Sequence, residues 1–209
     1  LTSVRSYVQV LLADAKKRNS DAFIINALTR ADVQTKKMSH MIQDFLNLAR
    51  LEEGKIQLLQ TIFELQPLIE EIAGDAQYLT TSHHIQFNDC AGIQVKADRE
   101  KIGQVLMNLL TNAIKYSPKG GDITVTCTPE AGKVMIRVAD QGVGIGAFEQ
   151  KKLFQRFYRA ENEQIQTVSG FGIGLYLVSE MLRYHQSRIH VESQEGAGSS
   201  FYFSLETVG

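Results

Sequence analysis

The chain of 209 residues holds only two cysteines, Cys90 and Cys127. Two thiols so placed offer neither a disulfide framework nor the spacing of a metal site, and they fit a reducing compartment. No apolar run approaches the length of a membrane span, and no charged-then-apolar leader opens the chain. Neither sign of charge is in excess. Lys+Arg 22 against Asp+Glu 23 leaves −1, so no general field draws nucleic acid or an anionic membrane. Internal repeats and low-complexity tracts are missing as well. What remains, 44% hydrophobic and 22% charged, is ordinary for a globular protein. The length suits one large domain, or a domain with an accessory element. The opening Leu1-Thr2-Ser3 has no methionine and reads as the cut end of something longer.

The residues present are organised around Asn108–Pro118, NLLTNAIKYSP, preceded by ADREKIGQVLM. Ile102, Val105, Leu106, Leu109, Leu110 and Ala113 recur at helical spacing and predict one buried side. Asn108, Asn112 and Lys115 follow one another at four and three residues. At about 100° per residue they share a narrow polar stripe. Asn is a mediocre helix former because its amide competes for backbone groups, so two of them one turn apart ask for a reason. Amide oxygens beside an ammonium suit a magnesium–phosphate group; a solvated polar face is the plainer reading.

Residues 1–51 have a different texture. Leu1, Val4, Val8, Leu11 and Ala15 keep a three–four spacing. After the polar break Lys16–Asp21 it resumes with Ile24, Leu28, Ala31, Thr35, Met38, Ile42, Phe45 and Ala49. Two helices with heptad-like a and d positions predict a helical hairpin. Ile25, Met41 and Leu48 lie outside that seam, so the hairpin cannot cover itself. It either lies on the following domain or pairs with a second copy into a four-helix bundle, and the dimer is the expectation. Gly54 is a plausible C-terminal cap.

Beyond it the pattern alternates. Residues 55–63 predict a strand, and Pro67 to about Thr80 a helix with Glu70 and Glu71 in its first turn. His84–Asn88 and Ile93–Lys96 predict short strands. Asp98 caps the central helix, which Pro118-Lys119-Gly120-Gly121 stops. Ile123–Cys127 and Val134–Val138 alternate as a hairpin of half-buried strands. A helix over 148–158, another from about Gly174 to His185, and a strand pair, Arg188–Ser193 and Ser199–Leu205, complete a mixed sheet with helices on one face.

Two glycine clusters follow. Asp140-Gln141-Gly142-Val143-Gly144-Ile145 comes directly after an apolar strand. An ionised Asp is an acceptor only; it could take a hydrogen bond from the amino group of adenine, whereas the carbonyl of guanine would repel it. Gly170-Phe171-Gly172-Ile173-Gly174-Leu175 runs into a helix, whose exposed N–H groups can hold phosphate. Neither cluster has the G-x-G-x-x-G spacing, and no Gly-Lys-Ser/Thr of a Walker loop occurs.

Four blocks stand in order: Asn108…Asn112-Ala113-Ile114-Lys115-Tyr116; Asp140-x-Gly142-x-Gly144; Leu153-Phe154-x-x-Phe157-Tyr158-Arg159; and Gly170-x-Gly172-x-Gly174-Leu175. In type, spacing and order they resemble the N, first glycine, F and second glycine boxes of bacterial sensor histidine kinases. The hairpin resembles that family's dimerisation and histidine-phosphotransfer domain. The resemblance implies an α+β chain: a helical hairpin over 1–53 forming half of a dimeric four-helix bundle, then an ATP-binding α/β sandwich over 54–209, shared with gyrase, Hsp90 and MutL proteins. It implies ATP and Mg²⁺ as cofactors, with Asn112 as the metal ligand, Asn108 beside it and Lys115 on phosphate. Tyr116 would pack near the base, Asp140 would bind the adenine amino group, and Gly142, Gly144 and Ile145 would shape that pocket. Gly170, Gly172, Gly174 and Leu175 would form the hinge and phosphate end of a mobile lid, roughly Tyr158–Phe171. Arg159 would reach the phosphates; Phe154 and Phe157 would pack the lid's root.

The resemblance further implies a cytoplasmic protein-histidine kinase, or the cytoplasmic part of a membrane-anchored sensor. It would dimerise through residues 1–53 and pass phosphoryl to a response-regulator receiver domain, without nucleic acid or direct membrane contact. ATP-hydrolysing relatives carry Glu at the position matching Asn108; an amide is no general base at neutral pH, so slow hydrolysis is expected. The family's phosphorylated His lies just before a segment like LTSVRSYVQVLL, where this chain starts. His40, His83, His84, His185 and His190 lack its neighbours and are expected to be structural or exposed. An ATP-hydrolysing relative and a nucleotide-binding dimeric scaffold without kinase activity are the alternatives.

Overall fold

The computed structural model describes residues 2–18, 21–52, 57–159 and 171–208. It divides into two compact units, Leu1–Lys55 and Ile56–Gly209.

The first unit is a helical hairpin of α1 (Thr2–Lys17) and α2 (Ala22–Glu52). Lys16 and Lys17 in the last turn of α1 complement its dipole. Ala15, Thr35 and Leu48 are buried, and Val8, Leu12, Ile25, Leu28 and Ala31 are half-buried. The expected seam is therefore only partly correct. Leu11, Ile24, Met38, Ile42 and Phe45 are exposed, while Ile25 and Leu48, placed outside the seam by the heptad reading, turn inward. Arg5 Nε approaches Asp32 Oδ1 across the pair at 3.6 Å. The expected cap at Gly54 lies outside the described residues, as does the side chain of His40.

The second unit is α+β. A two-stranded antiparallel ribbon pairs β1 (Thr61–Glu64) with β3 (Gln94–Ala97). The main sheet has the order β2-β4-β5-β7-β6, from β2 (His83–Asn88), β4 (Gly121–Glu130), β5 (Lys133–Asp140), β6 (His190–Ser193) and β7 (Ser199–Glu206). Among the described strands only β2 and β4 run parallel; a crossover through the helix α4 (Arg99–Tyr116) separates them in sequence, as a parallel pair requires. Along β4, β5 and β7, buried residues such as Val125, Ile136 and Phe203 alternate with Thr126, Arg137 and Tyr202. The sheet therefore has one apolar face and one polar face.

Against the apolar face lie α3 (Leu65–Gln77), α4 and α6 (Gly174–Tyr184). All six residues predicted for the inner side of α4 are buried: Ile102, Val105, Leu106, Leu109, Leu110 and Ala113. Asp98 caps this helix, accepting from the Lys101 amide at 3.1 Å; its second oxygen accepts from the Leu59 amide at 2.9 Å. One carboxylate thus fixes both the start of α4 and the segment leading into β1.

Several expectations shift. Of the strand expected over 55–63, the described residues form β1 at Thr61–Glu64 and no strand over 57–60; 55 and 56 lie outside the described residues. Helix α3 begins two residues before Pro67, because the first helical positions need no amide donor; Glu70 and Glu71 consequently fall outside its first turn. The helix over 148–158 is a single turn, α5 (Ala147–Gln150), and the left-handed backbone of Phe157, φ 62°, is incompatible with its continuation. Cys90 and Cys127 are bonded to each other, with Cα atoms 5.1 Å apart, against the expectation of no disulfide. The turn after β2 folds Cys90 onto the inner face of β4, a proximity that a separation of 37 residues does not reveal. His83 is buried and His185 half-buried, both hydrogen-bonded; His84 and His190 are exposed.

Candidate nucleotide-binding site

Helix α4 carries the polar stripe on the side turned from the core. Asn108 and Asn112 are half-buried, and Lys115, one turn further on, is exposed. Asn112 Nδ2 donates to Asn108 Oδ1 at 3.1 Å. Among the described residues no donor reaches Asn112 Oδ1, which leaves one amide oxygen available to a hard cation. No group of three or more His, Cys, Asp or Glu suited to a metal occurs among the described residues. A cation here would take the Asn112 oxygen and complete its shell from phosphate and water, and the residues present fit that arrangement.

The start of α6 meets the same stripe. A Cβ added at Gly174 would lie 2.8 Å from Asn108 Nδ2 and 3.1 Å from its Oδ1. Glycine thus brings the first amides of α6, which has no side-chain cap, against the amide pair. Gly172, with φ +68°, would carry a Cβ onto the Tyr158 carbonyl, and its own carbonyl accepts from the Phe157 amide at 3.0 Å. Phe157–Tyr158 and Gly172 are so joined. Gly170 and most of the expected lid lie outside the described residues. The Leu175 side chain packs against the core.

At the other end of α4 stands Asp140, the last residue of β5, paired with Ser199 of β7. Its Oδ1 accepts from the Gly142 amide at 2.8 Å, the Ser199 amide at 3.3 Å and the Ser117 hydroxyl at 3.4 Å. Among the described residues no donor reaches Oδ2, so one oxygen is held while the other can receive an exocyclic amine. Burial raises the Asp140 carboxyl above its ordinary value; the bonds from Gly142, Ser199 and Ser117 and the nearby His83 oppose that shift. Gly142 is needed sterically, since a Cβ would strike the Tyr116 carbonyl and come within 2.7 Å of Asp140 Oδ1 and Ser117 Oγ.

The Tyr116 carbonyl accepts from the Val143 amide at 3.0 Å, which ties the end of α4 to the first glycine loop. Burial raises the Tyr116 phenol, and the charge of Arg159 opposes it. Gly144, φ +69°, has no room for a side chain against the Gln194 carbonyl. The Ile145 amide donates to Ser193 Oγ at 2.8 Å, and its side chain packs against the core.

Asn108, Asn112 and Gly174 therefore meet at the middle of α4, and Asp140, Gly142 and Tyr116 meet at its end. Eight helical steps lead from Asn108 to Tyr116, the last residue of α4, a rise of about 12 Å at 1.5 Å per residue and a span suited to a nucleoside triphosphate. Ser117, Ser199, Ser193 and Gln150 hold the loops in place and were not legible beforehand. Ser117 stands before Pro118 and looks like any turn residue, Ser199 and Ser193 gain their partners through the strand register, and Gln150 donates from α5 to the Ile145 and Ser193 carbonyls at 2.7 and 2.8 Å.

Residues 97–208 match the family described as histidine kinase-, DNA gyrase B-, and HSP90-like ATPase. The chain is 30% identical over 210 residues to the sensor histidine kinase WalK of Bacillus subtilis (strain 168), covering 98% of this chain and 34% of that protein. It is 33% identical over 193 residues to the adaptive-response sensory kinase SasA of Nostoc sp. (strain PCC 7120 / SAG 25.82 / UTEX 2576), covering 90% and 48%. The chain thus spans between a third and a half of these curated relatives. Among solved structures, the catalytic domain of histidine kinase ThkA is similar with a TM-score of 0.59 at 27% identity, over 72% of this chain and 96% of that one. Full-length ShkA in complex with AMPPNP has the same fold, with a TM-score of 0.72 at 22% identity, over 100% of this chain and 45% of that one. ATP is the nucleotide of this family. The box residues, the mixed sheet and the family match together place this chain in the histidine kinase-, DNA gyrase B- and HSP90-like ATPase family, with the catalytic portion of the sensor histidine kinases.

Proposed function

We propose that this chain is the dimerisation and ATP-binding core of a cytoplasmic sensor histidine kinase. Residues 1–53 would be the dimerisation and phosphotransfer hairpin and 54–209 the catalytic domain. The observation that carries the reading is the paired amide of Asn108 and Asn112 beside Gly174, on the helix whose end holds Asp140.

In this reading Asp140 selects the base. Its fixed Oδ1 leaves Oδ2 to accept from the adenine amino group, and Gly142 admits the ring edge. Tyr116 borders the base. Asn112 supplies an amide oxygen to Mg²⁺, and Asn108 holds that amide in orientation. Bound Mg²⁺ supplies charge neutralisation across the phosphate oxygens. Lys115, and Arg159 from the lid's root, add positive charge near the phosphates, while the first amides of α6 offer an anion site. Asn108 cannot remove a proton from water at neutral pH, so the chain positions phosphate without activating water. Phosphoryl transfer depends on positioning and charge stabilisation more than on covalent chemistry. The acceptor would be a histidine, followed by an aspartate of a receiver domain.

The exposed apolar side chains of the hairpin, Met38, Ile42 and Phe45 among them, support a second copy as its cover. The full-length protein, given γ-labelled ATP and Mg²⁺, should acquire acid-labile phosphate on histidine while releasing free phosphate slowly. Rapid hydrolysis without protein labelling would favour the ATP-hydrolysing reading.

A further inference from the structure

We infer that His83, outside every box of the family pattern, is a positioning residue for adenine discrimination, holding Asp140 in its selecting orientation through Ser117. The inference rests on the proposed reading of Asp140 as the group that contacts the base.

His83 opens β2 and is 7% exposed. Its Nε2 lies 2.8 Å from the Ser117 carbonyl. A carbonyl only accepts, so Nε2 carries the proton and donates. Nδ1 faces the Thr80 hydroxyl at 2.7 Å and the Ser82 hydroxyl at 3.2 Å. The ring is thus gripped on both sides. The main chain beneath it is gripped as well, since Gln77 Nε2 donates to the His83 carbonyl at 2.9 Å.

Ser117 needs this support. It is the residue after the last turn of α4, with φ −117° and ψ 65°, and is 2% exposed. Outside the helical ladder, its carbonyl takes the Gly120 amide at 2.9 Å and the His83 ring. Its hydroxyl is the one side-chain donor to Asp140 Oδ1 among the described residues. A carboxylate turns about a soft terminal torsion, and losing one of three donors from Oδ1 lets Oδ2 leave the direction of the base. The chain of contacts runs Thr80–His83–Ser117–Asp140, from the entry to β2 to the end of β5. None of its first three members has to touch the nucleotide.

The test compares affinities for ATP and for purine riboside triphosphate, which lacks the 6-amino group. Both are measured calorimetrically with Mg²⁺ on the whole chain, beside the melting temperature. His83→Leu should cut the preference for ATP about tenfold, the worth of one hydrogen bond to a charged group, with the analogue's affinity unchanged. His83→Gln, whose amide can reach the same carbonyl, should restore the preference. A purely structural role would lower both affinities together. Asp140→Leu, which removes the acceptor at similar size, separates the two readings. If it leaves the preference intact, the base-reading role of Asp140 is wrong and the inference falls with it. If it abolishes the preference while His83→Leu does not, the inference alone is overturned. Should His83→Leu not fold, Ser117→Ala cuts the same chain one link closer, and an unchanged preference there overturns the inference equally.

Discussion

Asn112 Nδ2 donates to Asn108 Oδ1 at 3.1 Å, one helical turn apart on α4. The bond orients both amides: Asn108 spends its oxygen on the neighbour, and no donor among the described residues takes the Asn112 oxygen. Asn108→Ala would leave Asn112 free to rotate without removing it. The expected effect is a loss of roughly tenfold in Mg²⁺–ATP affinity, with the fold intact by circular dichroism, since Asn108 is half-buried on the polar side. An affinity equal to wild type would show that the pair is not a unit.

Gly174 tests the same corner from α6. A Cβ there would stand 2.8 Å from Asn108 Nδ2, closer than packing tolerates. Gly174→Ala should push α6 and the amide apart, weakening ATP binding at least about tenfold, near the low end of an overpacking cost of about 1–3 kcal/mol. A thermal melt beside a nucleotide titration checks it. Gly132, whose Cβ would meet nothing within 4 Å but whose φ is +72°, is the control: its replacement by Ala should cost stability and spare affinity.

Asp140 gives two pH dependences of opposite sign. Burial raises its carboxyl in the folded state, so the folded protein binds that proton more tightly than the unfolded chain. Its contribution to stability is greatest below the unfolded value, near ~3.9, and is lost as pH rises through the raised folded value. Asp140→Asn should therefore melt higher than wild type at neutral pH, with the difference fading in acid. Adenine binding needs the ionised acceptor, so wild-type affinity should fall as pH drops through the raised value, earlier than for an ordinary aspartate. Melts and titrations across pH 4–7 check both signs, the range being about that between the ordinary carboxylate value and neutrality.

The hairpin's uncovered face makes a prediction about assembly. Met38, Ile42 and Phe45 are 49%, 46% and 62% exposed, and each such side chain is worth about 1.5–3 kcal/mol when fully buried. The double change Ile42→Glu and Phe45→Glu should weaken self-association at least about a hundredfold, turning a dimer by light scattering into a monomer. A wild-type chain that is monomeric at all concentrations would remove the dimer.

The sequence exposed the inner face of α4 except for the buried Gly103, because its apolar residues repeat at the helical period and a long helix averages over local exceptions. It exposed the β4–β5 hairpin for the corresponding reason at period two. It placed part of the hairpin seam a residue off, putting Leu11 and Ile24 where Leu12 and Ile25 lie, while Val8, Ala15, Leu28, Ala31 and Thr35 turn inward as expected. Several neighbouring apolar positions satisfied the heptad equally, so periodicity alone did not choose among them. The bond between Cys90 and Cys127 and the support of Asp140 by Ser117 and His83 share one cause. Each depends on strand register between distant segments, which a linear reading does not contain. The boxes were legible because their residue types are costly away from a site: amides inside a helix, and a glycine where a Cβ would strike a carbonyl.

The central claim is that Asn112 holds the metal through which ATP is bound. Calorimetric titration of the whole chain with ATP, in Mg²⁺ and then in excess chelator, tests it directly when repeated on Asn112→Ala. The account predicts Mg²⁺-dependent binding in wild type and none in the variant, at an unchanged melting temperature. Equal Mg²⁺-dependent affinity in the two proteins would contradict it.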